Sequence, residues 1–131
     1  MSGERPVRPD RRFPKSRRLL NRKDFENVFR EGRKAVRPSI VLYARAVPEG
    51  QEPRLGLAVS RKVGKAVVRN RVRRRLREVF RLLVPRLLEA PVEVVLVARP
   101  KAAESSYAAL EREVHGALRK LGFLDESGHQ A

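Results

Sequence analysis

A short alternating segment that runs into an arginine-rich helical pattern, residues 54–80, constrains the fold of this chain more than any other feature. Six of the nine positions from Arg69 to Arg77 are arginine. At about 100° per residue, the apolar side chains of this helix share one sector: Val68, Val72, Leu76, Val79 and Leu83. The opposite sector is polar and basic: Asn70, Arg73, Arg74, Arg77 and Arg81. The pattern predicts a helix that buries one stripe in the core and presents arginines outward.

Positive charge is concentrated in one part of the chain. Residues 1–81 hold 25 Lys and Arg against 8 Asp and Glu, and residues 82–131 hold 6 against 7, so +17 and −1 make up the net charge of +16. Such a field attracts phosphate chains through counterion release, and anionic membranes through the same Coulomb term. The 24 arginines against 7 lysines suit bidentate phosphate contacts. A GC-rich genome explains that ratio equally well.

The arginines of the helix also repel one another. Arg69, Arg73, Arg77 and Arg81 follow at four-residue intervals, and each like-charged pair at this spacing costs roughly 0.2–0.5 kcal/mol. Within this helical run only Glu78 offsets them. The pattern therefore favours a polyanionic partner over a solvated charged face. Membrane binding is disfavoured, because the helix uses its apolar stripe in the core.

The chain has the size of one domain. Its 131 residues, 41% of them hydrophobic, can build one modest core. Cysteine is absent, so disulfides and thiolate metal sites are excluded. No apolar run approaches the roughly 20 residues of a membrane span, and no secretion signal is apparent, which predicts a cytoplasmic protein. We expect residues 1–18 to form a basic tail that is disordered alone, residues 19–122 the folded domain, and residues 123–131 a flexible tail.

Local patterns predict a single α/β domain with elements in the order α-β-β-(β)-α-β-α, the extra strand arising if the first long strand is split or bulged. The predicted segments are a helix at 23–31 between Asn21 and Gly32, strands at 39–47 and 54–60, a helix after Gly64 that ends or bends at Pro85, a strand at 92–98 and a helix at 106–121. The strand at 54–60 carries only small residues on one face. A bulky neighbour is expected against that face.

Residues that carry chemistry are scarce. His115 and His129 are the only histidines, and no serine lies at a suggestive spacing from either. Glu111 and Glu113 point apart on a helix, so they do not form a metal-binding pair. We therefore predict no catalytic residue and no metal site in this chain. The opposing hypothesis is a nuclease site borne by the protein, which predicts RNA cleavage by the chain alone with magnesium.

Three aromatic residues suggest a second candidate surface. Phe25 and Phe29 lie one helical turn apart, and Tyr43 shares a strand face with Arg45. An aromatic ring beside a basic group can stack an unpaired base for about 1–3 kcal/mol without reading its identity. A Phe pair at helical spacing is more often part of a core. Both interpretations stay open at this point.

The arginine-rich stretch and three other segments resemble one known family. The run RLGLAVSRKVGKAVVRNRVRRRLREVFR, centred on Arg69, Asn70 and Arg71, resembles the signature of the bacterial ribonuclease P protein component. The segments DFENVFREGR, VLYAR and VVLVARP occur in that family's order, and the similarity spans residues 17–121. The resemblance implies a single-domain α/β sandwich, in which a sheet packs against helices, with a left-handed βαβ crossover around the arginine helix. Periodicity does not predict that handedness, because right-handed crossovers are the rule.

The resemblance also implies a function in tRNA 5′ maturation. In that family an RNA with bound magnesium is the catalyst, and the protein binds this RNA and the single-stranded 5′ leader of precursor tRNA. Six residues match the family's leader-binding positions: Phe25, Phe29, Tyr43, Arg61, Lys65 and Arg99. Six others match its contacts to the catalytic RNA: Arg69, Asn70, Arg71, Arg73, Arg74 and Arg77.

The family usually has lysine among positions 73–75, where this chain has arginine; the charge is kept, so we expect the role to survive. The free protein is expected to be monomeric. The alternative function is a ribosomal or general RNA-binding protein without a role in tRNA cleavage, motivated by the same charge and basic tail.

Overall fold

The computed structural model describes residue 18, residues 21–88 and residues 90–124. Most of the predicted basic tail and of the predicted C-terminal tail lies outside the described residues. The main elements are α1 (Arg22–Glu31), β1 (Arg33–Val36), β2 (Ile40–Ala46), β3 (Arg54–Ala58), α2 (Ala66–Leu87), β4 (Val92–Ala98) and α3 (Tyr107–Lys120). Two short 3-10 helices precede α2 and α3, at Arg61–Val63 and Pro100–Glu104.

The four strands form one mixed sheet in the order β1-β2-β4-β3. β1 and β2 make an antiparallel hairpin, β2 pairs antiparallel with β4, and β3 pairs parallel with β4. The segment from β3 through α2 to β4 is therefore a crossover between neighbouring parallel strands. The predicted element order is confirmed, with β1 as the additional strand, although this strand precedes the 39–47 segment rather than splitting it. The handedness of the crossover stays a prediction.

Helices cover the sheet on both faces. α2 and α3 pack on one face and enclose the main core, which includes Ile40, Leu42, Val94 and Leu96 from the two central strands. α1 packs on the other face, where Val28 and Val95 are the only fully buried members of a small second cluster. Arg18 lies at the sheet's edge and forms an isolated parallel bridge to Leu55 of β3. The second, thinly packed face is the one that matters for the candidate site.

The ends of α1 are set by the residues that the sequence indicated. The Asn21 side chain accepts a hydrogen bond from the backbone N–H of Asp24 at 2.9 Å, which satisfies one unpaired donor of the first turn. At the other end, the Gly32 N–H donates to the Val28 carbonyl at 2.8 Å. A Cβ at Gly32 would lie 2.5 Å from the Val28 oxygen and 2.8 Å from the Ala44 oxygen. Only glycine allows α1 to turn so closely against β2.

α2 buries the predicted stripe and continues past its proline. Val72, Leu76, Val79 and Leu83 are buried as expected, while Val68 is half-buried. We predicted that the helix ends or bends at Pro85; it runs through this proline to Leu87, so Pro85 does not end it. Proline removes one backbone donor near the helix end, and the burial of Val84 and Leu87 holds the last turn in place. The predicted β4 and α3 and their inward residues are confirmed to within two residues at each end.

Candidate nucleic-acid interface

A row of small and apolar side chains crosses the part of the sheet that α1 leaves open. Val36 pairs with Val41, Val41 with Val97, and Val97 with Ala58, so the row spans all four strands on one face. None of the four is buried, and Val36 is 54% exposed. We call these four residues the floor. An accessible apolar floor of this kind offers a surface against which planar groups can pack.

An aromatic wall rises beside the floor. It consists of Phe25 and Phe29 on α1 and Tyr43 on β2. The Phe29 and Tyr43 rings meet edge to face with centroids 4.8 Å apart, and the Phe25 and Phe29 centroids are 6.3 Å apart. Phe25 is half-buried against Val28 and Val95, whereas Phe29 remains 41% exposed. Phe25 therefore belongs largely to the small core, whereas much of the Phe29 ring is left exposed beside the floor. We call the open surface over the floor, next to this wall, the cleft.

Gly56 of β3 explains how Phe25 approaches the sheet. A Cβ at this position would lie 2.7 Å from Cζ of Phe25, closer than two carbon atoms can pack. The prediction of a bulky neighbour against the small face of β3 is thus confirmed. Because Gly56 has no side chain, the Phe25 ring packs directly on β3, and α1 can lie close to the sheet.

We expect Gly56→Ala to destabilise the protein by about 1–3 kcal/mol, the usual cost of overpacking a filled site. The added methyl group must displace the Phe25 ring and with it α1. Gly116→Ala is the matched control, because its Cβ would lie 3.6 Å from the nearest atom, in ordinary contact, and alanine favours the helix. Urea unfolding of the free protein measures both. Equal stabilities for the two variants would contradict this packing.

Lys34 also borders the cleft, although it was not among the site residues predicted from the sequence. Its Nζ lies 6.0 Å from the centroid of the Tyr43 ring, and the two residues face each other across the β1–β2 ladder. A cation beside an aromatic face can contact a phosphate while the ring stacks a base. The four-residue β1 shows little alternation of polar and apolar residues, so nothing in the sequence indicated this strand except its short distance from β2.

The predicted basic residues Arg61, Lys65 and Arg99 lie beyond the ends of the two parallel strands, and we call them the basic rim. Arg61 begins the 3-10 helix after β3, Lys65 precedes α2, and Arg99 directly follows β4; all three are exposed. The Arg99 guanidinium donates to the Arg37 carbonyl at 2.7 Å, and its backbone N–H donates to the Ser39 carbonyl at 2.8 Å. The β1–β2 turn thereby fixes Arg99 at the end of the floor.

The outer face of α2 carries Asn70, Arg73, Arg74 and Arg77. The Asn70 side chain accepts a hydrogen bond from Arg73 at 2.8 Å, and Asn70, Arg74 and Arg77 are exposed. Partial burial, followed by the nearby charges of Arg18 and Arg73, lowers the pKa of Arg77. A guanidinium stays protonated under all ordinary conditions, so this crowding is relieved by an anion rather than by deprotonation. The outer face is thus suited to a phosphate backbone.

Three other arginines of α2 are engaged with the protein itself. Arg69 donates to the Gly64 carbonyl at 2.9 Å. Arg71 donates to the Ala103 carbonyl at 3.1 Å, and Arg75 donates to the Ser105 carbonyl at 2.9 Å. Arg71 therefore points toward the 3-10 helix before α3 and does not share the outer face. Its predicted contact with the catalytic RNA stays untested. Its position in the structure indicates a role in fixing α2.

We expect Arg71→Ala to lower the free energy of unfolding by about 1–2 kcal/mol through loss of a charged hydrogen bond. Arg74→Ala, an exposed neighbour, should change it by less than about 0.5 kcal/mol. Thermal unfolding of the free protein compares the two. A larger loss for Arg74→Ala would show that the division of the helix into inner and outer arginines is incorrect.

The acidic and histidine side chains in the described part of the chain do not assemble into a metal centre. Within residues 18, 21–88 and 90–124, no group of three or more His, Cys, Asp or Glu side chains is placed to hold a metal ion. His115 lies on α3, on the face of the sheet away from the cleft, and burial is the main cause that lowers its pKa. None of the described helices combines the length and apolar character that crossing a membrane requires.

Comparison with known proteins identifies one family of relatives. The family model for ribonuclease P matches residues 13–122. The ribonuclease P protein component of Symbiobacterium thermophilum is 37% identical over 114 residues, covering 87% of this chain and 98% of the relative. That of Beutenbergia cavernae is 41% identical over 110 residues, covering 84% and 92%.

Solved structures show the same architecture. The ribonuclease P protein of Thermotoga maritima aligns with a TM-score of 0.63 and 30% identity, covering 76% of this chain and 92% of that one. The Staphylococcus aureus protein aligns with a TM-score of 0.75 at 24% identity, covering 85% and 100%, which shows a shared fold. With the family model spanning most of the sequence, the chain belongs to the ribonuclease P protein family.

Proposed function

We propose that the cleft between the aromatic wall and the basic rim binds the single-stranded 5′ leader of precursor tRNA. The exposed Phe29 ring at the edge of an open apolar floor is the observation that carries this proposal. Single strands bind where rings stack bases and cations follow the backbone. The wall supplies the rings, and Lys34 and the basic rim supply the cations. The bases of duplex RNA are already paired and stacked, so they are not available to pack against such a floor.

Family membership gives the reaction in which the chain takes part. The chain is the protein subunit of a ribonucleoprotein endoribonuclease that acts on tRNA precursors and matures their 5′ ends. Its partners are the ribonuclease P RNA and precursor tRNA. A ribosomal or general RNA-binding role is not favoured by these relationships.

A second surface, the outer face of α2, is proposed to hold the catalytic RNA. Arg73, Arg74 and Arg77 project from one side of a rigid helix, so their spacing is fixed before binding. The lowered pKa of Arg77, caused first by burial and then by the charges of Arg18 and Arg73, marks a site where added negative charge is favourable. Asn70, which accepts a hydrogen bond from Arg73, lies on the same surface, and Arg69 flanks it.

Magnesium is proposed to act on the RNA and not on the protein. Two observations support this proposal: among the described residues no three His, Cys, Asp or Glu side chains come together to hold a metal ion, and several carboxylates are paired with arginine. The protein then contributes binding and positioning, and no bond-breaking step is assigned to its side chains. We further propose that the complex works in the cytoplasm.

Reconstitution tests the proposed function. Purified chain added to the catalytic RNA at low magnesium should increase cleavage of precursor tRNA, and the increase should be larger for a long leader than for a one-nucleotide leader. No gain in cleavage would favour a general RNA-binding protein. Cleavage by the chain alone, free of RNA, would instead support a nuclease site in the protein.

A further inference from the structure

A buried carboxylate lies beneath α1 on the cleft face of the sheet. Glu93 stands in the otherwise apolar β4, and its side chain is only 5% exposed. The sheet register places Arg45 of β2 and Arg54 of β3 directly beside it. Arg45 donates to one Glu93 oxygen at 3.1 Å, and Arg54 donates to the other from two nitrogens at 2.9 and 3.1 Å. One carboxylate thus organises two guanidinium groups from neighbouring strands.

The same two arginines reach both ends of α1. Arg45 forms an ion pair with Glu31, the last residue of the helix, at 2.7 Å. Arg54 forms a longer one with Asp24, in the first turn, at 3.5 Å. Phe25 and Phe29 lie between these two attachment points. The helix that carries most of the aromatic wall is therefore tied at both ends to a single buried group.

Apolar packing alone defines the position of α1 weakly. Val28 is its only buried residue, and the cluster beneath it contains one other buried side chain, Val95. Burying a carboxylate costs several kcal/mol, which its partners only offset, so such a network contributes more to geometry than to net stability. Each hydrogen bond in it has a preferred direction. The network consequently restricts how α1 slides or rotates over the sheet.

We propose that Glu93 is a positioning residue: through Arg45 and Arg54 it sets the height and angle of α1 above the floor, and thereby the affinity of the cleft for the leader. This inference rests on the proposed leader-binding function. It assigns a functional consequence to a side chain that touches no RNA. The Glu93 side chain is only 5% exposed, and its two oxygens accept hydrogen bonds from Arg45 and Arg54, so it acts on the leader through these partners.

The test is Glu93→Gln in the reconstituted holoenzyme, with precursor tRNA carrying either a long or a one-nucleotide leader. For the long leader, KM should rise about threefold to tenfold, within the range of coupling between residues of one network, with kcat unchanged. For the one-nucleotide leader, KM should not change. A variant that was merely unstable would affect both substrates alike once the active fraction is titrated.

Glu26→Gln is the matched control. Glu26 also lies on α1, but it pairs at 3.8 Å with Arg22 in an exposed contact that does not reach the sheet. Both substitutions make the protein more positive, which by itself strengthens binding of a polyanion. A weaker leader interaction in Glu93→Gln alone therefore cannot come from the change in net charge. Unchanged KM for the long leader, or equal changes in the two variants, would overturn the proposal.

A double-mutant cycle with Phe29→Ala separates the possible failures. If Glu93 acts through the wall, the combined variant should lose much less affinity for the leader than the sum of the single losses. Additive losses would contradict the positioning role. If Phe29→Ala itself shows no leader dependence, the proposed function of the cleft is wrong. If Phe29→Ala shows a leader-dependent loss of affinity and Glu93→Gln does not, only the proposed role of Glu93 is wrong.

A second variant covers the case in which Glu93→Gln does not fold. The pair Asp24→Asn and Glu31→Gln releases α1 from Arg54 and Arg45 while leaving Glu93 with both guanidinium groups. The same leader-dependent rise in KM is expected. Wild-type KM values for both leaders would overturn the proposal.

Discussion

Replacing Arg73, Arg74 and Arg77 together by glutamine is expected to weaken binding of the catalytic RNA about a hundredfold near 0.15 M salt. The reason is that each lost phosphate contact removes roughly 0.9 from the slope of log affinity against log salt concentration. Three contacts should therefore lower the magnitude of the slope by about 2–3. The three side chains lie on the outer face of α2, away from the core stripe. Stability should change little.

A filter-binding titration over several salt concentrations measures both quantities. The matched control replaces Arg112, Arg119 and Lys120 of α3 by glutamine, which lowers the net charge of +16 by the same three units, to +13. This control should keep most of the affinity, because a general charge effect is weaker than loss of direct contacts. Equal losses in the two triple variants would mean that the outer face of α2 has no special role.

Phe29→Ala should reduce the affinity of the holoenzyme for precursor tRNA with a long leader by roughly 5- to 150-fold, the equivalent of about 1–3 kcal/mol for one stacked base. Phe29 is 41% exposed and meets Tyr43 edge to face, so its free side can stack an unpaired base. Substrate with a one-nucleotide leader should bind almost as well as before, because it has no base to place there.

Leu82→Ala provides the control for loss of an exposed apolar side chain. Leu82 lies on α2 and is 52% exposed, but it belongs to neither the floor nor the wall. Its removal should not distinguish the two leaders. A Phe29→Ala variant that weakens both substrates equally would place the leader elsewhere on the protein.

The periodic parts of the fold were predictable from the sequence because burial itself is periodic. The stripe of α2, the inward residues of α3 and the apolar β4 each depend on a local repeat. The caps of α1 were predictable for a similar reason, since Asn21 and Gly32 act within one turn. The close packing at Gly56 was predictable because a row of small side chains on one face of a strand indicates a bulky neighbour against that face.

The parts that depend on neighbours distant in the sequence were not predictable. β1 has four residues and is defined only by its pairing with β2, so Lys34 and Val36 were not assigned to the cleft. A helical wheel leaves Arg71 out of the outward sector that holds Arg74, but it cannot show that Arg71 donates to the Ala103 carbonyl, 32 residues away in the sequence. Glu93 appeared as one polar position in an apolar strand, because its two partners come from separate strands.

Site-directed crosslinking tests the separation of the two RNA surfaces. The chain contains no cysteine, so single cysteines introduced at Val36, on the floor, and at Arg74, on the outer face of α2, each give one attachment point for a photoreactive group. In the complex with catalytic RNA and precursor tRNA, Val36→Cys should crosslink to the 5′ leader and Arg74→Cys to the catalytic RNA. Crosslinks to the same RNA from both positions, or the reverse assignment, would contradict the proposed division of the protein into a leader cleft and an RNA-binding helix.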